Sequence, residues 1–88
     1  MKEERHVIMG IHISDRVSHA VSVQEVLTRY GHKIKTRLGL HEFGGAVTVP
    51  NGVLILDMVD DEESVVQFMN ELNGLEGVEV QRMVFDHP

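Results

Sequence analysis

Apolar residues along this chain alternate, then recur at helical spacing, then alternate again, and the cycle runs twice. Residues 6–14, HVIMGIHIS, put Val7, Met9, Ile11 and Ile13 on one side and Ile8, Gly10, His12 and Ser14 on the other. That period of two belongs to a strand, with the first set facing a core. Ser14 and Asp15 offer N-cap oxygens. Val17, Ala20, Val23, Leu27 and Tyr30 then follow at the spacing of three and four, opposite Ser18, Ser22, Glu25 and Arg29, which predicts a helix over 15–30 stopped by Gly31.

Alternation returns at residue 32, with Ile34, Thr36, Leu38 and Leu40 on one face and Lys33, Lys35, Arg37 and Gly39 on the other. Three cations on one side of a strand fit an edge that must not pair with strangers. Residues 41–51, HEFGGAVTVPN, form the one long connection. The run at 52–59, GVLILDMV, is bounded by Pro50-Asn51-Gly52 and by the acids at 60–63, and reads as a central strand buried on both faces.

The second cycle mirrors the first. Asp60 and Glu63 have the spacing of a capping box, and the acids at 60–63 suit the positive end of a helix dipole as a solvated helix start. Val65, Val66, Phe68, Met69 and Leu72 give the next helix its apolar face, and Gly74 ends it. Val78, Val80 and Val84 alternate with Glu79, Gln81, Met83 and Phe85, and Arg82 interrupts the valine face. The pattern is β-α-β-β-α-β. Right-handed crossovers turn it into an α+β, ferredoxin-like sandwich, its antiparallel sheet ordered 4-1-3-2 with both helices on one face. The two most apolar strands, first and third, then fall in the centre.

A sheet covered on one side leaves the other exposed. Ile8, His12, Val53, Ile55, Met83 and Phe85 fall there, beside Gly10 and Asp57. A contiguous apolar patch of this kind marks an interface, so a homo-oligomer, dimer or tetramer, is expected through this face.

Eighty-eight residues make one domain, 1–88, with one modest core, which association would also support. A net charge of −6 without a basic stripe argues against direct nucleic acid binding. No apolar run approaches the roughly 20 residues of a membrane span, and the start, Met1 to Arg5, is charged, unlike the apolar core expected of a signal peptide. The absence of cysteine removes disulfides, thiolate metal sites and Cys nucleophiles, and agrees with a reducing, cytoplasmic setting.

Chemistry is sparse. The six histidines, at 6, 12, 19, 32, 41 and 87, show no HxH or HExxH spacing. No metal is favoured; His12, His41 and Glu42 are the best candidates, across a subunit boundary. Ser14, Asp15 and His19 superficially resemble hydrolytic parts, but capping explains Ser14 more simply. Gly44-Gly45 lacks a phosphate-loop pattern and reads as a turn. Met58, Phe68 and Met69 are packing residues. Ser14, Asp15 and Arg16, at the end of a central strand beside free helix amides, could also meet a small anionic or amphoteric ligand.

Arg5-His6-Val7, Asp15-Arg16, Ala20, Val23, Leu27, Tyr30-Gly31, Ile34, Arg37-Leu38-Gly39-Leu40, the turn from Gly74 to Val78 and Met83-Val84-Phe85 together resemble the iron-only hydrogenase system regulators. The resemblance spans about residues 5–85. It implies an ACT-like, ferredoxin-like fold, similar to the ligand-sensing domain of the nickel-responsive repressor without its DNA-binding arm. It also implies a bacterial, cytoplasmic, oligomeric regulator rather than an enzyme. The nickel repressor's clustered histidines and cysteine have no counterpart here, so nickel sensing is not implied. The resulting expectation is a small-ligand-responsive module acting through a protein partner, without a cofactor. Its ligand would sit at Ser14, Asp15 and Arg16, or at a subunit boundary near Arg37 and His41. The alternatives are a metal sensor using His12, His41 and Glu42, and a dimeric ferredoxin-like enzyme built on His12 or His41.

Overall fold

A computed structural model describes residues 5–40 and 52–86 of the chain. The side chains of Arg16, Val17 and Leu40 lie outside this description, as do residues 41–51, with His41, Glu42, Gly44 and Gly45, and residue His87. In chain order the elements are β1 (His6–Ile13), α1 (Arg16–Arg29), a short 3-10 turn (Gly31–Lys33), β2 (Ile34–Leu40), β3 (Gly52–Met58), α2 (Glu62–Asn73) and β4 (Val78–Phe85). The strands form one antiparallel sheet in the order β2-β3-β1-β4. This is the ferredoxin-like arrangement expected from the pattern, with β1 and β3 central.

The core lies between this sheet and the helices. Val7, Met9, Ile11 and Ile13 of β1 are all buried, as the alternation requires. Leu56 and Met58 of β3 meet Val65, Phe68 and Leu72 of α2 there, with Val80 of β4. The other side of β3 is not fully buried: Val53, Ile55 and Asp57 are half-buried, because neither described helix lies over that face.

Three details depart from the pattern. The pairing of β2 with β3 slips between Ile34 and Thr36. Ile34 opposite Met58 stays on the core side, whereas Thr36 opposite Asp57 and Leu38 opposite Ile55 take the open side. A one-residue bulge at Lys35 thus reverses every later side chain of the strand. Leu38 is 55% exposed on the open face, and Arg37 turns to the helix side.

On α1 the buried residues are Val23, Val26 and Leu27, while Ala20 is exposed. Val26 takes the place of Ala20 in the stripe, and Tyr30, half-buried, packs against the core as expected. On α2 Val66 is likewise exposed, at 38%, on the margin of the stripe.

The caps also shift. Asp61, not Asp60, caps α2, accepting from Ser64 N–H at 3.4 Å and from its hydroxyl at 2.9 Å. Asp60 is drawn instead to Arg5, whose Nη2 lies 2.9 Å from Oδ1. Glu62 takes Arg5 at 3.0 Å and Arg82 at 2.9 Å, and Lys33 Nζ reaches Asp61 at 2.8 Å. The acids at 60–62 are therefore not simply solvated. They tie the start of α2 to β1, β4 and the turn before β2.

Candidate functional site

The expected junction between β1 and α1 is a tightly fastened turn. Asp15 sits in the left-handed region at φ 48°, ψ 66°, a conformation Asp tolerates better than most residues. Its carboxylate accepts from the Ser18 hydroxyl at 2.9 Å and makes no cap to a helix amide, contrary to the capping role expected of it. Ser18 and His19 amides donate to the Asp15 carbonyl instead, at 3.0 and 3.3 Å. Ser14 N–H donates to the Gly77 carbonyl at 2.7 Å, joining this turn to the one before β4. His19, grouped with Ser14 and Asp15 by sequence, packs against Gly77.

Arg37 lies elsewhere. The bulge brings it to the helix side of edge strand β2, where Nη2 donates to Gln24 Oε1 of α1 at 3.0 Å. Between α1 and β2 is a cleft of about 290 Å³ lined by Gln24, Leu27, Thr28, Gly31, Ile34, Lys35, Thr36 and Arg37. Its floor is apolar, from Leu27 and Ile34, and its rim is polar and cationic. A cleft with an apolar base and a few convergent polar groups is the ordinary form of a small-molecule site. Sequence reading singled out Arg37 but not Gln24, Thr28 or Lys35. Its 13-residue separation from Gln24 carries no local signal.

A broader depression of about 570 Å³ lies over Val21, Gln24, Glu25, Thr28 and Arg29. Among the described residues its lining comes from one face of α1 alone, so it lacks a second wall to orient a ligand.

The residues expected on the uncovered sheet face lie there side by side. Cross-strand pairing sets Thr36, Asp57, Ile8 and Met83 in one row of the open face and Leu38, Ile55, Gly10 and Gln81 in the next. His12 stands between Val53 and Glu79, and Phe85 pairs with His6. Met83 and Phe85 are 58% and 52% exposed. Leu38, assigned to the core side by its parity, is the residue that sequence reading missed here.

Among the described residues, no three His, Asp or Glu side chains converge as a metal set. His12 is one such donor on the open face, and its proposed companions His41 and Glu42 fall outside the described residues. No described helix is long and apolar enough to cross a membrane.

No family model and no curated protein sequence matches this chain. Solved structures do. An uncharacterized protein from Thermotoga maritima superposes with a TM-score of 0.77 at 22% identity, over 93% of this chain and 98% of that one. The ACT domain of a GTP pyrophosphokinase from Chlorobium tepidum gives 0.63 at 16%, over 89% and 84%. A nitrogen regulatory PII-like protein from Thiomonas intermedia, bound to ADP, AMP and bicarbonate, gives 0.59 at 16%, over 99% and 97%. At these identities the shared property is the fold.

Proposed function

We propose that this chain is a non-enzymatic, small-ligand-responsive regulatory module of the ACT-like kind, which works in the cytoplasm as a homo-oligomer and acts through a partner protein. The observation that carries the reading is the layout of β2. One strand presents Arg37 to the cleft against α1 and Leu38 to the uncovered sheet face. A ligand that moves the strand at Arg37 moves a residue of the association surface with it.

The fold shared with the ACT domain of a GTP pyrophosphokinase, and with a PII-like protein that is nitrogen regulatory by name, supports the class. The non-enzymatic reading is supported by how the most hydrolase-like residues are used, since Asp15 holds Ser18 and His19 packs on Gly77. An iron-only hydrogenase system is the setting that the residue resemblance implies.

Native mass spectrometry with sedimentation velocity tests the proposal. The expected result is an oligomer whose stoichiometry or association constant changes when a retained small molecule is removed. A monomer at all micromolar concentrations, with or without added ligand, overturns it.

A further inference from the structure

The chain is acidic, yet its cleft is not. Eight Lys and Arg residues face fourteen acids in the sequence, so an unpaired cation has many carboxylates available to it. Among the described residues, Arg5, Arg29, Lys33 and Arg82 all form ion pairs. Lys35 and Arg37 do not, and both line the cleft between α1 and β2. Among the described residues, the side-chain bond of Arg37 goes to a neutral amide oxygen, Gln24 Oε1. A guanidinium has five N–H donors in a fixed fork, suited to two oxygens of one anion, and an ammonium adds a mobile point charge beside it.

The bulge at Lys35 is what puts them together. With regular pairing Arg37 would project from the open face, away from α1.

We propose that this cleft binds a phosphate-bearing small molecule, its phosphate held by Arg37 and Lys35 and its body lying on Leu27 and Ile34. Two cations without a carboxylate partner among the described residues match the charge of about −1.5 to −2 on a phosphate monoester near pH 7. A single carboxylate would leave one cation uncompensated. The assignment rests on the regulatory reading above and names the ligand class of its site.

Isothermal titration with inorganic phosphate, beside acetate and chloride at equal ionic strength, tests it on the full chain, Arg37→Gln, Lys35→Gln and, as a charge-matched control away from the cleft, Arg82→Gln. Phosphate is expected to bind the unaltered chain more tightly than acetate. Arg37→Gln should weaken it about tenfold or more, the worth of a charge-assisted hydrogen bond. Lys35→Gln should weaken it less and Arg82→Gln leave it unchanged. No binding at millimolar phosphate, equal binding of acetate, or equal loss in Arg82→Gln overturns the assignment. Sedimentation of the same samples separates the two claims. Phosphate bound through Arg37 without any change in association sinks the regulatory reading and keeps the site. A retained molecule that shifts association equally in Arg37→Gln keeps the regulatory reading and removes the phosphate site.

Discussion

Gly77 lies directly against the imidazole of His19. A Cβ added at Gly77 would sit 2.7 Å from His19 Cδ2 and 2.8 Å from Nε2, with the Ser14 carbonyl oxygen at 3.2 Å. Its φ of 78° is in the left-handed region, which a side chain disfavours by about 1–2 kcal/mol. Gly77 is therefore fixed twice, by backbone conformation and by the approach of α1. Gly77→Ala should lower stability by about 2 kcal/mol in urea unfolding. In the double variant with His19→Ala the steric part should vanish and the conformational part remain. Purely additive losses would show that the imidazole simply swings aside.

Tyr30 joins the helices through its ring and its hydroxyl. The ring stacks on Phe68 with centroids 4.7 Å apart, and the hydroxyl donates to Glu71, which also holds Arg29 Nη1 at 2.7 Å. Phe68→Ala, at a fully buried site, should remove about 3–5 kcal/mol, enough to unfold much of a small domain. Tyr30→Phe keeps the stack and should remove only about 1 kcal/mol. The bond to Glu71, followed by burial, raises the Tyr30 phenol above its ordinary value. Its contribution is present below pH about 10 and lost as pH rises above it. Tyr30→Phe should therefore flatten the alkaline limb of a stability profile; an unchanged limb would assign that loss to other groups.

The sheet order was legible because β1 and β3 are the most apolar strands and the cationic β2 needs an edge. Val7, Met9, Ile11 and Ile13 could be assigned to the core by parity alone. Parity failed at β2, because a bulge leaves the sequence alternation intact while reversing its meaning after Lys35. The cap of α2 was ambiguous for a different reason. Asp60 and Asp61 are adjacent, and the choice between them depends on Arg5, 55 residues away in sequence, claiming the first. The same limit applies to the cleft: Arg37 stood out as a cation on an edge strand, but its relation to Gln24 exists only once α1 folds across β2.

The start of α2 should give the protein an acid limb. Lys33 first, then Ser64 through its hydroxyl and amide, hold the Asp61 carboxyl down to about 2. Arg82 and Arg5 likewise lower Glu62. A carboxylate with a lower pKa in the folded state stabilises it at neutral pH, and that share is lost as pH falls from about 4 through about 2. The urea midpoint should fall across this window, more gently in high salt because these groups are exposed. Asp61→Asn should begin with a lower midpoint and fall less steeply. A slope identical to that of the unaltered chain would mean that other carboxylates carry the acid limb.

The uncovered sheet face makes the most direct prediction about assembly. Leu38, Met83 and Phe85 are each more than half exposed, and Ile8 and Ile55 lie between Leu38 and the two residues of β4. None of the three fully contributes to the core, so a charge at these positions should leave the fold intact. Buried in an interface, the same charge would be left without a partner and would oppose association strongly. Leu38→Glu and Met83→Glu should each keep the far-ultraviolet circular dichroism spectrum of the unaltered chain and shift sedimentation toward monomer. Val21→Glu, on the helix side at 71% exposure, should do neither. If Val21→Glu dissociates the oligomer while the two sheet variants do not, the association surface lies on α1.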